Sequence, residues 1–236
     1  ERFMKDLSKY FVRSGRVKEQ LQELVFGKDD FRARVLEKKL TFVRLFDEFG
    51  ISKDDYKDIP VSFLLENFGF LKPRLFSISS SETHNSSGAD VLMSLVEDDA
   101  HSFVGVCSNT VRSIFRGGAD NRVSVFTVKS KFKLPLDLSR PLIFVGAGSG
   151  IAPYRGFLQD ICSQPHKLRK VSKIVVYFGL RCVDDEHHIY RADFKRFQEL
   201  LGDRLEVKYA VSGDPNNKVY VQDLMALDGE RNASYL

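Results

Sequence analysis

The densest chemical signal in this chain is PLIFVGAGSGIAPYRGFLQD, residues 141–160. An apolar strand runs into Gly146, Gly148 and Gly150, and a helix is predicted to open at Ile151-Ala152-Pro153. Glycines let backbone N–H groups approach an anion, and a helix N-terminus adds partial positive charge. Ser149 offers a hydroxyl to a phosphate, and Pro153 suits a first helical turn. The arrangement suits a pyrophosphate; the plainer use of the same glycines is a tight strand-to-helix turn. The spacing is GxGxG, not the GxGxxG fingerprint, and no Gly-Lys-Ser/Thr follows, which argues against a Walker-type ATP site.

Three further segments carry ligand-directed chemistry. In PRLFSISS, residues 73–80, Arg74 is a bidentate phosphate donor and Phe76 a flat apolar surface, while Ser77 and Ser79 alternate along a strand. In GVCSNTVRSIF, residues 105–115, a glycine turn leads to a helix expected at Ser108–Phe115 and capped by Ser108 or Asn109. Cys107 there is either a reactive thiol or, more plainly, a small core residue. In VSGDPNNKVYVQDL, residues 211–224, Ser212, Lys218 and Tyr220 follow a strand's C-terminal end, where open α/β sheets bind ligands. A hydroxyl, an ammonium and a phenol together suit a ribose phosphate. His187-His188 beside Asp184, Asp185 and Glu186 lacks i,i+4 spacing and a second cluster, so it reads as a solvated loop and no metal is expected.

The elements that position these residues change along the chain. The first sixty residues hold 14 basic and 12 acidic side chains with apolar positions at helical spacing: Leu21, Leu24 and Val25 in one helix, then Val35, Leu40, Val43 and Phe46 in a longer one. Their charge serves solubility or, alternatively, docking. Pro60 is expected to open a helix from Val61 to Phe68. Arg74–Ser81, Asp90–Glu97 and Arg122–Lys129 alternate or run β-branched and aromatic, which predicts an antiparallel sheet or small barrel. From Arg140 strand and helix alternate: strands at Leu142–Val145, Lys173–Phe178 and Leu205–Val211, helices at Ile151–Cys162, His188–Leu201 and Val219–Leu227. That rhythm predicts a doubly wound parallel sheet. Ser234-Tyr235-Leu236 reads as the start of a further strand.

With 43% hydrophobic residues the chain can bury a sizeable core, and 36 Lys+Arg against 32 Asp+Glu leaves only +4, too little to imply nucleic acid. Cys107, Cys162 and Cys182 form no CxxC pair, which excludes a disulfide scaffold or zinc site as organising principle. No apolar run approaches the roughly 18–20 residues of a membrane span, and no secretory leader pattern opens the chain, so a cytoplasmic location is expected.

In this order, the four segments resemble the FAD/NADPH half of the diflavin reductases, the family of cytochrome P450 reductase and of the reductase part of nitric oxide synthase. The family's Arg-x-Tyr-Ser-x-x-Ser strand is similar to Arg74-Leu75-Phe76-Ser77-Ile78-Ser79-Ser80, and its Gly-Val-(Cys/Ala)-(Ser/Thr) turn to Gly105-Val106-Cys107-Ser108. Its dinucleotide loop resembles Gly146-Ala147-Gly148-Ser149-Gly150-Ile151-Ala152-Pro153, and its Lys-Val-Tyr-Val-Gln stretch stands at Lys218-Val219-Tyr220-Val221-Gln222. Tyr177-Phe178-Gly179-Leu180-Arg181 and Ile189-Tyr190-Arg191 also look like family features.

The resemblance implies a ferredoxin-reductase-like architecture of mixed α+β and α/β class. Its parts would be a helical connecting region over residues 1–70, part of an antiparallel FAD-binding barrel over 71–139, and an NADP-binding α/β domain over 140–236. It implies hydride transfer from NADPH to FAD, then electron transfer to a separate FMN-binding domain and a protein acceptor. Arg74 would hold the FAD phosphates with the backbone of Gly105, Val106, Cys107 and Ser108. Leu75 and Phe76 would lie at the flavin, with Ser77 catalytic near its N5. Gly146, Gly148, Ser149 and Gly150 would take the NADP pyrophosphate; Arg181, Ser212, Lys218, Val219, Tyr220, Val221 and Gln222 would serve its remainder, with the 2′-phosphate near Ser212, Lys218 and Tyr220. Phe76 in place of tyrosine resembles the branch of the cytosolic diflavin reductase that feeds iron–sulfur cluster assembly, which implies an iron–sulfur assembly protein as partner.

Several departures accompany the resemblance. Gly213 stands where an arginine usually follows the serine, and one lost charged phosphate contact costs about 1.5–3 kcal/mol of preference for NADPH over NADH. Leu180 replaces the usual cysteine before Arg181. Set against the family, the chain is expected to begin after the first barrel strands and to end before the aromatic that covers the flavin. The competing readings are a non-catalytic dinucleotide-binding fragment and a single-flavin ferredoxin–NADP reductase-like enzyme.

Overall fold

The computed structural model describes residues 2–101, 103–117, 122–182 and 188–235. The expected turn at 118–121, the acidic and histidine stretch Asp184–His187 and the terminal Leu236 lie outside them. The chain forms two compact units: Glu1–Arg74 with Val96–Asn109, and Leu75–Leu95 with Thr110–Leu236. Among the described residues no helix is long and apolar enough to cross a membrane.

The first unit is largely helical: α1 (Arg2–Tyr10), α2 (Gly15–Phe26), α3 (Lys28–Phe31), α4 (Phe42–Glu48), α5 (Lys53–Tyr56) and α6 (Val61–Asn67). Ser14 caps α2, its side chain accepting from the Val17 amide, and Gly27 ends it. Of the expected stripe Leu21 and Leu24 are buried and Val25 is partly buried, in one core with Leu7, Phe31, Val35 and Phe63. The longer helix predicted through Val35 and Phe46 is broken. A π-turn spans Arg32–Leu36, Lys39 takes φ +49°, and α4 starts afresh after Thr41, whose hydroxyl accepts from the Arg44 amide. A competent cap in mid-stripe offers the backbone another partner, so one periodic pattern serves two helices and Val43 is left 68% exposed. Pro60 opens α6 as expected.

The same unit ends in a two-residue antiparallel hairpin, β1 (Glu97–Asp98) with β2 (Phe103–Val104), followed by α7 (Val106–Gly117). The predicted barrel is not found among the described residues. Ile78 and Val91 form one isolated antiparallel bridge, and residues 122–129 join no ladder. β-propensity expresses packing against neighbouring strands, and here Val125, Phe126 and Val128 remain 83%, 62% and 63% exposed.

The second unit carries the parallel sheet, strand order β3 (Leu142–Ala147), β4 (Ile174–Leu180), β5 (Leu205–Val211). Between and after the strands lie α8 (Ala152–Ser163), α9 (Pro165–Lys170), α10 (Arg191–Leu201), α11 (Val221–Leu227) and α12 (Gly229–Ala233). With the three parallel strands in sequential order, α8 and α10 pack on one face. There Leu158, Ile161, Phe194 and Phe197 share a core with Ile174, Val176 and Phe178. On the other face Tyr177 meets Asp228 and Asn232, and Gly179 meets Val221. Covered on both sides, β4 is a nearly continuous apolar run. Ser234 and Tyr235 begin no strand among the described residues: their amides bond to the Glu230, Arg231 and Asn232 carbonyls, continuing the helical turn of α12.

Candidate functional site

The three strands are parallel, so their C-terminal ends lie together: Ala147 is level with Gly179, and Leu180 with Val211. At the end of β3 the chain turns through Gly148, at φ +52°, into a 3-10 turn (Gly148–Ile151) that runs on as α8, with Pro153 in its first turn. A β-carbon at Gly146 would stand 3.0 Å from the Gly150 carbonyl oxygen, so any larger residue would force the turn to shift by a few tenths of an ångström. Gly150 faces open space, and Ser149 beside it is exposed. Amides at the start of a helical run lack intrahelical acceptors, so this mouth presents donors to an anion. The predicted pyrophosphate residues Gly146, Gly148, Ser149 and Gly150 are thus assembled on one turn, and the glycines serve both readings of the motif.

The loops after β4 and β5 meet beside it. The Ser212 amide donates to the Leu180 carbonyl at 3.0 Å, and the Val219 amide returns to the Val211 carbonyl at 2.9 Å. Arg181, Lys218 and Tyr220 are exposed here, Tyr220 as the residue that opens α11, its amide held by the Asp223 carboxylate at 2.8 Å. Val221 packs on Gly179, where a β-carbon would sit 3.1 Å from its methyl, and Gln222 follows in the first turn of α11. At Gly213 a β-carbon would lie 2.2 Å from the Arg181 carbonyl oxygen. The glycine at 213 is therefore dictated by a backbone-to-backbone approach, and no side chain of any charge fits there in this loop.

The flavin-directed residues are divided between the units. In the first, Gly105 follows β2, its amide donating to the Val96 carbonyl at 2.7 Å. A β-carbon at Gly105 would meet the Val96 β-carbon at 2.7 Å. The helix begins at Val106, two residues before the expected start, so neither Ser108 nor Asn109 is its cap. The Ser108 hydroxyl, buried, instead accepts from the Val96 amide at 3.1 Å, and the Asn109 amide nitrogen donates to the Gly105 carbonyl at 3.0 Å. This leaves the amides of Val106, Cys107 and Ser108 at the mouth of a twelve-residue helix. Cys107 is half-buried and unpaired, and Arg74 is exposed. In the second unit Leu75 and Ser77 are exposed and the Phe76 ring is 38% open.

Sequence reasoning missed the residues that fasten this flavin-directed segment to α8. Arg155 donates through Nη1 to the Ser79 carbonyl at 2.9 Å and to Asp90 at 2.8 Å, and through Nε to Asp193 at 3.0 Å. Its guanidinium also lies over the Tyr190 ring, at 4.8 Å. Burial works against its charge, but Asp90 and Asp193 outweigh that and raise its pKa. At Gly156 a β-carbon would lie 3.2 Å from the Ser80 carbonyl oxygen, so the segment rests directly on the helix. Gln159 accepts from the Ser81 amide at 2.8 Å, and Asp160 from the Ser81 hydroxyl at 2.9 Å. Residues 155, 156, 159 and 160 are one helix face, which in sequence looks like a solvated stripe. His188 is also not the solvated residue expected: its ring lies 4.8 Å from that of Tyr209, edge to face. No group of three or more metal-ligating side chains occurs among the described residues.

Both dinucleotide groups fit what is present. The turn at Gly146–Gly150 has a glycine cradle, open space and helix-start donors for a pyrophosphate, and Gly105 with the first turn of α7 repeats the device. Two family models match along the chain, an FAD binding domain over residues 1–110 and an oxidoreductase NAD-binding domain over residues 144–234. The chain is similar to the NADPH–cytochrome P450 reductase of Aspergillus terreus (strain NIH 2624 / FGSC A1156), 32% identical over 238 residues, covering 90% of this chain and 34% of that protein.

Its sequence is homologous to the NADPH–cytochrome P450 reductases.

The reductases of Aspergillus oryzae (strain ATCC 42149 / RIB 40) and Candida maltosa, at 31% and 29% identity, cover 87% and 84% of this chain and 33% and 32% of their own lengths. The chain spans about one third of the length of the curated relatives it matches. The NAD-binding match coincides with the parallel sheet and its glycine turn. The FAD-binding match ends inside α7, five residues beyond Gly105.

Proposed function

We propose that this chain is a reductase module that passes hydride from NADPH to FAD and electrons onward to an FMN domain and a protein acceptor. The observation that carries this reading is α8: its N-terminus bears the pyrophosphate turn, and its next residues clamp the segment that holds Phe76 and Ser77. Nicotinamide supplies the hydride and the flavin receives it, so the protein's share is binding and placement.

In this reading Gly146, Gly148, Ser149 and Gly150 bind the NADPH pyrophosphate, while Arg181, Ser212, Lys218 and Tyr220 surround its 2′-phosphate end. Val219, Val221 and Gln222 shape the start of α11 beneath it. Arg74 neutralises the FAD phosphates together with the amides of Val106, Cys107 and Ser108, and Phe76 packs on the flavin ring beside Leu75. Ser77 would be the catalytic residue, its hydroxyl near the flavin N5. Residues 1–70 serve as connecting region, 71–139 as the FAD-directed part and 140–236 as the NADP-directed domain. The narrower reading, supported by Phe76 in place of tyrosine, is a cytosolic diflavin reductase whose acceptor is an iron–sulfur assembly protein.

FAD titration followed by visible absorbance, with NADPH and NADH then added anaerobically, tests the module. Binding followed by bleaching on NADPH is expected, with weaker binding in Arg74→Ala. FAD that binds and is bleached by neither nucleotide overturns the hydride-transfer reading. Rates of reduction of an iron–sulfur assembly protein and of a cytochrome P450 then decide the acceptor.

A further inference from the structure

The Arg155 side chain is 13% exposed, and its polar contacts among the described residues lie inside the second unit. Two of them, the Ser79 carbonyl and the Asp90 carboxylate, belong to the two short runs joined by the Ile78–Val91 bridge. Ser79 and Asp90 are themselves tied, amide to carbonyl, at 2.8 Å, and the Asp90 amide donates to the Ser80 hydroxyl at 2.8 Å. The third contact, Asp193, lies in the first turn of α10, with the Tyr190 ring beneath the guanidinium. Arg155 itself stands in the first turn of α8, four residues beyond the end of the 3-10 turn that carries Ser149 and Gly150. Ser79, which it holds, is two residues from Ser77 and three from Phe76. Gly156 removes the side chain that would keep the segment off the helix.

We propose that Arg155 is a positioning residue for the hydride step, fixing the distance and angle between the segment bearing Phe76 and Ser77 and the glycine turn at the head of α8. The inference rests on the proposed reductase reading. Its physical basis is that a guanidinium presents several donors in a rigid plane, so one side chain can define the mutual placement of three backbone elements. Reaction geometry tolerates little error: displacement by about 1 Å can cost on the order of 100-fold in rate. Arg155 is not among the residues proposed to bind either dinucleotide, so its loss separates placement from binding. Gln159 and Asp160 keep the segment on the helix when Arg155 is removed, which predicts a misplaced segment but a folded one.

The test compares wild-type protein loaded with FAD, Arg155→Ala, and Asp90→Asn, which breaks the ion pair and keeps Arg155 with Asp193. Four quantities are read: FAD affinity, 2′,5′-ADP affinity, amide exchange at Ser79 and Ser81, and the stopped-flow rate of flavin bleaching by NADPH with its deuterium isotope effect. Expected are unchanged affinities and faster exchange at Ser79, with bleaching slowed about 10- to 100-fold in Arg155→Ala and less in Asp90→Asn. The isotope effect should be larger than in wild type. Should Arg155→Ala fail to fold, Asp90→Asn decides: bleaching at the wild-type rate overturns the proposal. Wild-type protein that is bleached while both variants are bleached equally fast overturns the positioning role alone. Wild-type protein that binds both nucleotides without bleaching overturns the reductase reading and this role with it.

Discussion

The phenol of Tyr177, wholly buried in the central strand, donates a 2.6 Å hydrogen bond to Asp228, the residue between α11 and α12. Lys208 reaches the same carboxylate at 2.6 and 2.8 Å, and Arg231 bridges it to Glu206. This network holds α11 on the sheet, and the start of α11 carries Tyr220. Tyr177→Phe removes the phenol's hydrogen bond to Asp228 and the one it accepts from Arg231, and is expected to cost about 1–3 kcal/mol, read as a lower midpoint in chemical denaturation. The nucleotide affinity should fall with it, because the Lys218–Gln222 segment loses its anchor.

The same network predicts a pH dependence. The Lys208 ammonium and the Tyr177 hydroxyl hold the Asp228 carboxyl below its ordinary value. Burial pushes Glu206 upward, but Arg231 outweighs it and the carboxyl ends below its ordinary value too. Both groups have depressed folded-state pKa values, so their stabilisation is complete above the unfolded values near 4 and is lost as pH falls through the folded ones. Acid titration of stability is expected to steepen below about pH 4 in wild type and to be shallower there in Asp228→Asn; identical profiles would count against the assignment.

Gly213 is fixed by the Arg181 carbonyl, which leaves 2.2 Å for a β-carbon. Gly213→Ala must displace the loop, at about 1–3 kcal/mol, and weaken binding of 2′,5′-ADP. Gly213→Arg is expected to pay that strain too, giving no gain in affinity from its added charge. Isothermal titration of both variants with 2′,5′-ADP and 5′-AMP measures this, and tighter 2′,5′-ADP binding by Gly213→Arg would contradict it.

Two glycine turns make separable predictions. Gly105→Ala places a β-carbon 2.7 Å from that of Val96 and is expected to impair FAD retention. Gly146→Ala crowds the Gly150 carbonyl at 3.0 Å and is expected to lower 2′,5′-ADP affinity about tenfold while FAD retention holds. Flavin fluorescence after gel filtration, paired with nucleotide titration, distinguishes the two.

Burial pushes the Cys162 thiol up to about 11, against the opposing pull of Arg196 and Arg204. At pH 8 roughly a thousandth of it is thiolate, so iodoacetamide should leave it unmodified in the native protein and label it on unfolding. Peptide mapping of labelled native protein checks this.

What the sequence determined by itself is local. The apolar run of β4, the glycine turn after β3, Pro60 before α6 and the strand–helix rhythm from residue 140 were all legible, because periodicity and turn chemistry act over a few residues. The barrel expected from residues 74–129 is not seen among the described residues, where the pairing is one bridge and one short hairpin, since alternation names a strand and not its partner. The longer helix through Val35 and Phe46 was misjudged where a cap at Thr41 competed with the stripe. Tertiary structure alone decided why residue 213 is glycine and what Arg155 does. Both depend on backbone brought close by packing, Arg181 against Gly213 and Ser79 against α8, from strands and segments far apart in the chain. Spacing along a sequence carries no record of such an approach; the sheet and the helix laid on it create it.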